Sequence, residues 1–114
     1  MTIQRIDVGP RMTQAVVHNG TVYLAGQVGT AGQTVTEQTK EVLAKIDALL
    51  AKSGSSKSKL LQAVIWLADM RDFGDMNAVW DKWVDPSNTP ARATGEARLA
   101  ASGYTVEITV IAAV

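Results

Sequence analysis

Cysteine is absent from this chain of 114 residues, which removes disulfides, thiolate nucleophiles and cysteine metal sites together and suits a reducing compartment. Histidine occurs once, as His18 beside Asn19-Gly20. A Ser-His-Asp triad therefore has no second support, and a strand-end histidine is the simpler reading. No spaced set of histidine and carboxylate ligands suggests a metal. Charge of one sign is missing too: 11 basic and 11 acidic residues cancel without forming runs, so the electrostatic footprint of a nucleic-acid binder is lacking. No apolar run approaches the roughly 18 to 20 residues of a membrane span, and Met1 to Arg11 lacks a signal-peptide hydrophobic stretch. These exclusions predict a soluble, cytoplasmic protein that engages neither nucleic acid nor membrane.

What is present is a 46% hydrophobic chain with no repeat, low-complexity tract or linker, as expected of one domain over residues 1–114 with an ordinary core. Ile3 to Val8 reads as a short strand interrupted by Gly9-Pro10. Ala15 to His18, Asn19-Gly20 and Thr21 to Ala25 read as strand, tight turn, strand, because both turn residues tolerate positive φ. GQVGTAGQ makes a loop that matches neither the P-loop nor the dinucleotide fingerprint. Thr34 to Ser53 has the spacing of an amphipathic helix, with Thr34 and Glu37 as a capping box and Gly54 just beyond its end. Leu60 to Ala68 is short and apolar, which suits a strand covered on both faces. Asp72 can cap a second helix ending near Val84, whose stripe holds Phe73, Met76, Trp80 and Trp83. Core packing is the simpler reading of all three tryptophans, including Trp66 in the apolar strand.

After the short opening strand, the order β, β, α, β, α, β, β predicts an α+β fold in which a mixed sheet carries both helices on one face. The last two strands read as a hairpin, Arg92–Arg98 against Thr105–Ile111, with Glu96 opposite either Glu107 or Thr105. Alternation then puts Ala91, Ala93, Gly95 and Ala97 beneath the helices with Val106, Ile108, Val110 and Ala112. It gathers Arg92, Thr94, Glu96, Arg98, Thr105, Glu107 and Thr109 on the other face. A sheet face both charged and apolar suggests an oligomer surface.

Two of these residues carry chemistry. Arg92 offers a planar, permanently charged fork that can hold a carboxylate through two parallel hydrogen bonds. Glu107 could orient or deprotonate a water. Neither role needs a nucleophile, metal or organic cofactor. From the residues alone, the simpler reading of both is as ordinary interface or surface salt-bridge groups.

TPARATGEARL followed by YTVEITVIAAV resembles the C-terminal signature of the RidA (YjgF) family, the reactive intermediate deaminases. The similarity runs through Gly9-Pro10, Gly26-Gln27, Asp72-Phe73 with Asn77, and Pro90-Ala91-Arg92, while MTIQRID and WLADMRDF resemble its short YoaB-like branch. The resemblance implies a chorismate-mutase-like fold assembled as a homotrimer with clefts between subunits. It also implies hydrolysis of reactive enamines and imines to 2-oxo acids and ammonia without a cofactor. Arg92 would then grip the substrate carboxylate, Glu107 would serve the attacking water, and the backbone around Gly26 and Thr94 would hold ligand oxygens, with Asn77 nearby. Three positions depart from the family pattern: Met12 stands near the usual tyrosine, Ala25 replaces a serine and Thr94 replaces a cysteine. A pocket so changed should favour other imino acids. The competing expectations are a trimeric module that only binds 2-oxo acids or other small carboxylates, and a ribonuclease, which the neutral charge disfavours.

Overall fold

The computed structural model describes residues 2–114. Strands β1 (Gln4–Val8), β2 (Thr13–His18) and β3 (Thr21–Leu24) form an antiparallel meander. Its second turn is the expected one, with φ of +53° at Asn19 and +76° at Gly20. A two-residue strand β4 (Gln27–Val28) lies within the glycine-containing loop and pairs with the last strand, β7 (Val106–Ala113). Helix α1 (Val35–Lys52) starts where the Thr34 hydroxyl accepts the Glu37 N–H at 3.1 Å, and it is followed by Gly54 at φ +76°. Helix α2 (Phe73–Trp83) links β5 (Leu60–Leu67) to β6 (Ala91–Glu96). Asp72 stands at its N-cap position but makes no capping bond through its side chain.

The strand order is β1-β2-β3-β7-β5-β6, with β5 parallel to β6 and antiparallel to β7. This corrects the expected hairpin between the last two strands. The β5–α2–β6 crossover returns β6 parallel to β5 and onto the sheet edge, so β5 separates it from β7. Both helices cover one face, as expected. Ala63, Ile65, Leu67, Val106, Ile108, Val110 and Ala112 lie buried beneath them with Val42, Leu43, Ile46, Met76 and Trp80.

Register also inverts the expected faces of β6. Ala63 neighbours Arg92 and Ile65 neighbours Thr94, so Arg92, Thr94 and Glu96 point to the helix side. Ala91, Ala93 and Gly95 share the uncovered side with Val64 and Trp66. A Cβ added to Gly95 would sit 3.0 Å from Trp66 Cζ3. Gly95 therefore makes room for Trp66 of the adjoining strand, and none of these three small residues faces the helix side chains. That ring is 40% exposed, so β5 is covered on one face only and Trp66 is not a core residue.

Candidate functional site

Arg92 projects from the β6 edge strand toward α2. Its Cζ lies 5.3 Å from the Trp80 ring centroid and 5.9 Å from that of Phe73. Phe73, Asn77 and Trp80 are spaced four and three apart, which puts them on one stripe of the helix. The ion pairs among the described residues are Lys45–Glu41, Lys52–Asp7 and Arg71–Asp69, so Arg92 has no carboxylate within 4.0 Å. Asn77 Oδ1 and Thr94 Oγ1 are both buried without a hydrogen-bond partner among the described residues. Orphaned polar atoms of this kind cost about 1–3 kcal/mol each unless a ligand, water or second chain satisfies them. Arg92, Thr94 and Asn77 thus form one group on the helix side of the sheet edge.

Glu107 belongs to a second group. It stands directly across from Trp66 on the uncovered side of the sheet. Beyond it lies Gly26, where an added Cβ would fall 2.9 Å from Glu107 Cδ and closer still to Oε2. Gly95, Trp66, Glu107 and Gly26 therefore make a row across the strands, two large side chains between two glycines. Ala25, next to Gly26, donates its N–H to Gln14 O at 2.8 Å. The Gln27 side chain ties this corner together, donating to Gln14 Oε1 at 2.9 Å and to Ala25 O at 3.0 Å. Met12 closes the loop before β2, its carbonyl accepting the Gly9 N–H at 2.9 Å, with its side chain 46% exposed.

The two groups do not meet in one chain. β6 and β7 lie two strand spacings apart, about 10 Å, and Arg92 and Glu107 point to opposite faces, whereas alternation along a hairpin predicted a shared one. Two cavities open elsewhere. One of about 430 Å³ lies between α1 and α2 and includes Leu43, Lys57, Val79 and Trp83. The other, about 650 Å³, lies against residues 97–104 and includes Glu96, Arg98 and Tyr104. Neither includes Arg92 or Glu107. Among the described residues no cluster of three or more metal-ligating side chains occurs, and no helix is long and apolar enough to cross a membrane. The sequence predicts Phe73 on the α2 stripe and all three tryptophans in the core; Trp80 is buried and Trp66 is not. The Phe73–Asn77–Trp80 spacing was the available signal that the helix stripe and Arg92 share one place.

Residues 2–114 match the family model described as endoribonuclease L-PSP. The RutC family protein YoaB of Escherichia coli is 46% identical over the full length of both chains. A mouse 2-iminobutanoate/2-iminopropanoate deaminase is 34% identical, with 92% of this chain and 82% of the mouse protein covered. The crystal structure of NMB1025 from Neisseria meningitidis, a member of the YjgF protein family, superposes with a TM-score of 0.97 at 49% identity. That match covers 99% of this chain and 95% of the other. With nearly its whole length matched in sequence and in structure, this chain belongs to the RidA/YjgF family.

Proposed function

We propose that the protein hydrolyses 2-imino and 2-enamino acids to 2-oxo acids and ammonia, at clefts between the subunits of a homotrimer. One observation carries the reading: Arg92 has no ion-pair partner among the described residues, and two buried, unpartnered oxygens, Asn77 Oδ1 and Thr94 Oγ1, stand on the flanking elements. A carboxylate ligand answers the first, and a ligand able to donate hydrogen bonds answers the second. The placement of Glu107 on the opposite face supports completion of each site by a neighbouring subunit. The exposed Trp66 and Tyr23 on that face support burial against another copy. The name of the mouse relative supports the reaction class.

The chemistry follows from the groups. Arg92 donates two N–H bonds to the substrate carboxylate, holding the adjacent C=N carbon in a fixed place. Glu107 of a neighbouring subunit accepts a proton from water as its oxygen attacks that carbon, and the C=N π pair moves to nitrogen. With the imine protonated at the start, the glutamic acid then returns the proton to the amine. The C–N bond breaks as the hydroxyl O–H proton passes to Glu107 and C=O forms, and that last proton leaves with the ammonia as ammonium beside the 2-oxo acid. An enamine first takes a proton at carbon to reach the same imine. Met12, Ala25 and Thr94 line the two halves with fewer hydroxyl groups than the family pattern has, which shifts preference among side chains.

The test generates imino acids from a panel of amino acids with an amino-acid oxidase and traps the surviving imine with semicarbazide. The parent should lower the trapped product for part of the panel, and Arg92→Ala should not. Glu107→Gln should abolish turnover yet keep 2-oxo acid binding. No acceleration anywhere in the panel, with 2-oxo acids still bound, would leave a carboxylate-binding module. Cleavage of RNA is the poorer reading, because a net charge of zero offers no phosphate-tracking surface.

A further inference from the structure

We propose that Phe73 and Trp80 are positioning residues for the carboxylate clamp, holding the Arg92 guanidinium over their rings while leaving its N–H fork free. This rests on the reading of Arg92 given above and names the groups that aim it. Arginines that pack into proteins are usually fixed by a carboxylate, which occupies the fork and cancels the charge. Arg92 is held differently. Among the described residues no carboxylate lies within 4.0 Å of it, and the π faces of Trp80 at 5.3 Å and Phe73 at 5.9 Å stand against it. A π face attracts the cation through the ring quadrupole but offers no lone pair in the guanidinium plane. The result is a cation that is oriented and still un-neutralised, ready for an incoming anion.

The two rings contribute unequally to the fold. Trp80 is 5% exposed and packs in the core, whereas Phe73 is 38% exposed at the rim of α2. Substitution of Phe73 therefore reports on the clamp with little disturbance of packing. Asn77, between them on the same stripe, keeps its buried Oδ1 without a partner among the described residues. The helix thus presents ring, acceptor, ring along one face, and β6 supplies the cation opposite.

The experiment measures 2-oxobutanoate affinity by calorimetry on the assembled protein, beside kcat and KM for the matching imine. Phe73→Leu keeps apolar bulk but removes the π face. It should weaken 2-oxobutanoate binding and raise KM by about two- to fivefold, leaving kcat and the thermal midpoint close to the parent's. Phe73→Tyr should restore the parent affinity, and Trp80→Phe should retain it where Trp80→Leu does not. Parent affinity in Phe73→Leu, alongside lost binding in Arg92→Ala, would overturn the inference and leave the clamp standing. Equal weakening in Phe73→Leu and Phe73→Tyr would also overturn it, since the ring is present in the second. If Arg92→Ala binds 2-oxobutanoate as the parent does, the clamp itself fails and the inference falls with it.

Discussion

Mixing two inactive variants offers a direct test of whether each site is shared between chains. Arg92 and Glu107 point to opposite faces of one sheet, on strands separated by β5. A site using both must take them from different copies. Arg92→Ala and Glu107→Gln are each expected to fall near background when assembled alone. When equal amounts assemble at random, each cleft receives an intact arginine half the time and an intact glutamate half the time. About a quarter of clefts are then whole, in any closed ring of this kind. A site built within one chain would recover nothing, because neither variant carries both groups. The assay is the semicarbazide competition on co-expressed, differently tagged chains, with native mass spectrometry reporting the mixed assemblies. Background activity in verified mixed assemblies would refute the shared site.

Other outcomes follow from local geometry. Gln38 is buried; its Nε2 donates to Gln33 O and Gly103 O at 2.9 and 2.8 Å, and its Oε1 accepts Thr105 N–H at 3.0 Å. Gln38→Leu strands three backbone groups and should cost about 3 kcal/mol, read as a fall of roughly 10 °C in thermal midpoint; a loss below about 1 kcal/mol would contradict that role. Gly26→Ala should displace the Glu107 carboxylate, since the side chain can swing away, at about 0.5–1.5 kcal/mol of rotamer strain. Turnover should drop while 2-oxo acid affinity holds, and unchanged turnover would separate Glu107 from the chemistry. Bonds from the Thr30 hydroxyl and N–H, with Lys45 nearby, hold the half-buried Glu41 carboxyl below its usual range. Its contribution is present above the unfolded-state value, about 4.3, and is lost as pH falls through the lowered folded value. Denaturant unfolding at neutral and acid pH should show a shallower acid loss in Glu41→Gln. Asp69, bonded by Arg71, and Asp85, bonded by Asn88, keep the same sign in that variant.

Local signals were legible where one residue dictates one conformation. Asn19-Gly20 demanded its turn, Thr34 its cap and Gly54 its helix end, and the α1 stripe named the core positions it buries. Pairing was not legible, because alternation along β6 is the same whichever strand lies beside it. The alanines and Gly95 looked like spacers for helix side chains, yet Ala91, Ala93 and Gly95 lie on the uncovered side, and the smallness of Gly95 answers to Trp66 on the neighbouring strand. Arg92 and Glu107 could be picked out as residue types, and the family resemblance gave them roles. Their opposite orientations depend on β5 lying between them, a long-range fact that no local pattern carries. β4 was hidden for a related reason, since two residues are too few to show a period.

The row of Gly95, Trp66, Glu107 and Gly26 has a consequence for how the sequence can drift. Each glycine is small because its neighbour is large, so none of the four positions is free to change by itself. A methyl group at 95 needs a smaller ring at 66, and one at 26 needs a differently turned side chain at 107. In a double-mutant cycle, Gly95→Ala with Trp66→Leu should cost less than the sum of the two single changes, as adjoining sites do when one relieves the other. Diverging descendants of this chain would be expected to trade size between 66 and 95 in pairs, so that variation at one position predicts variation at the other.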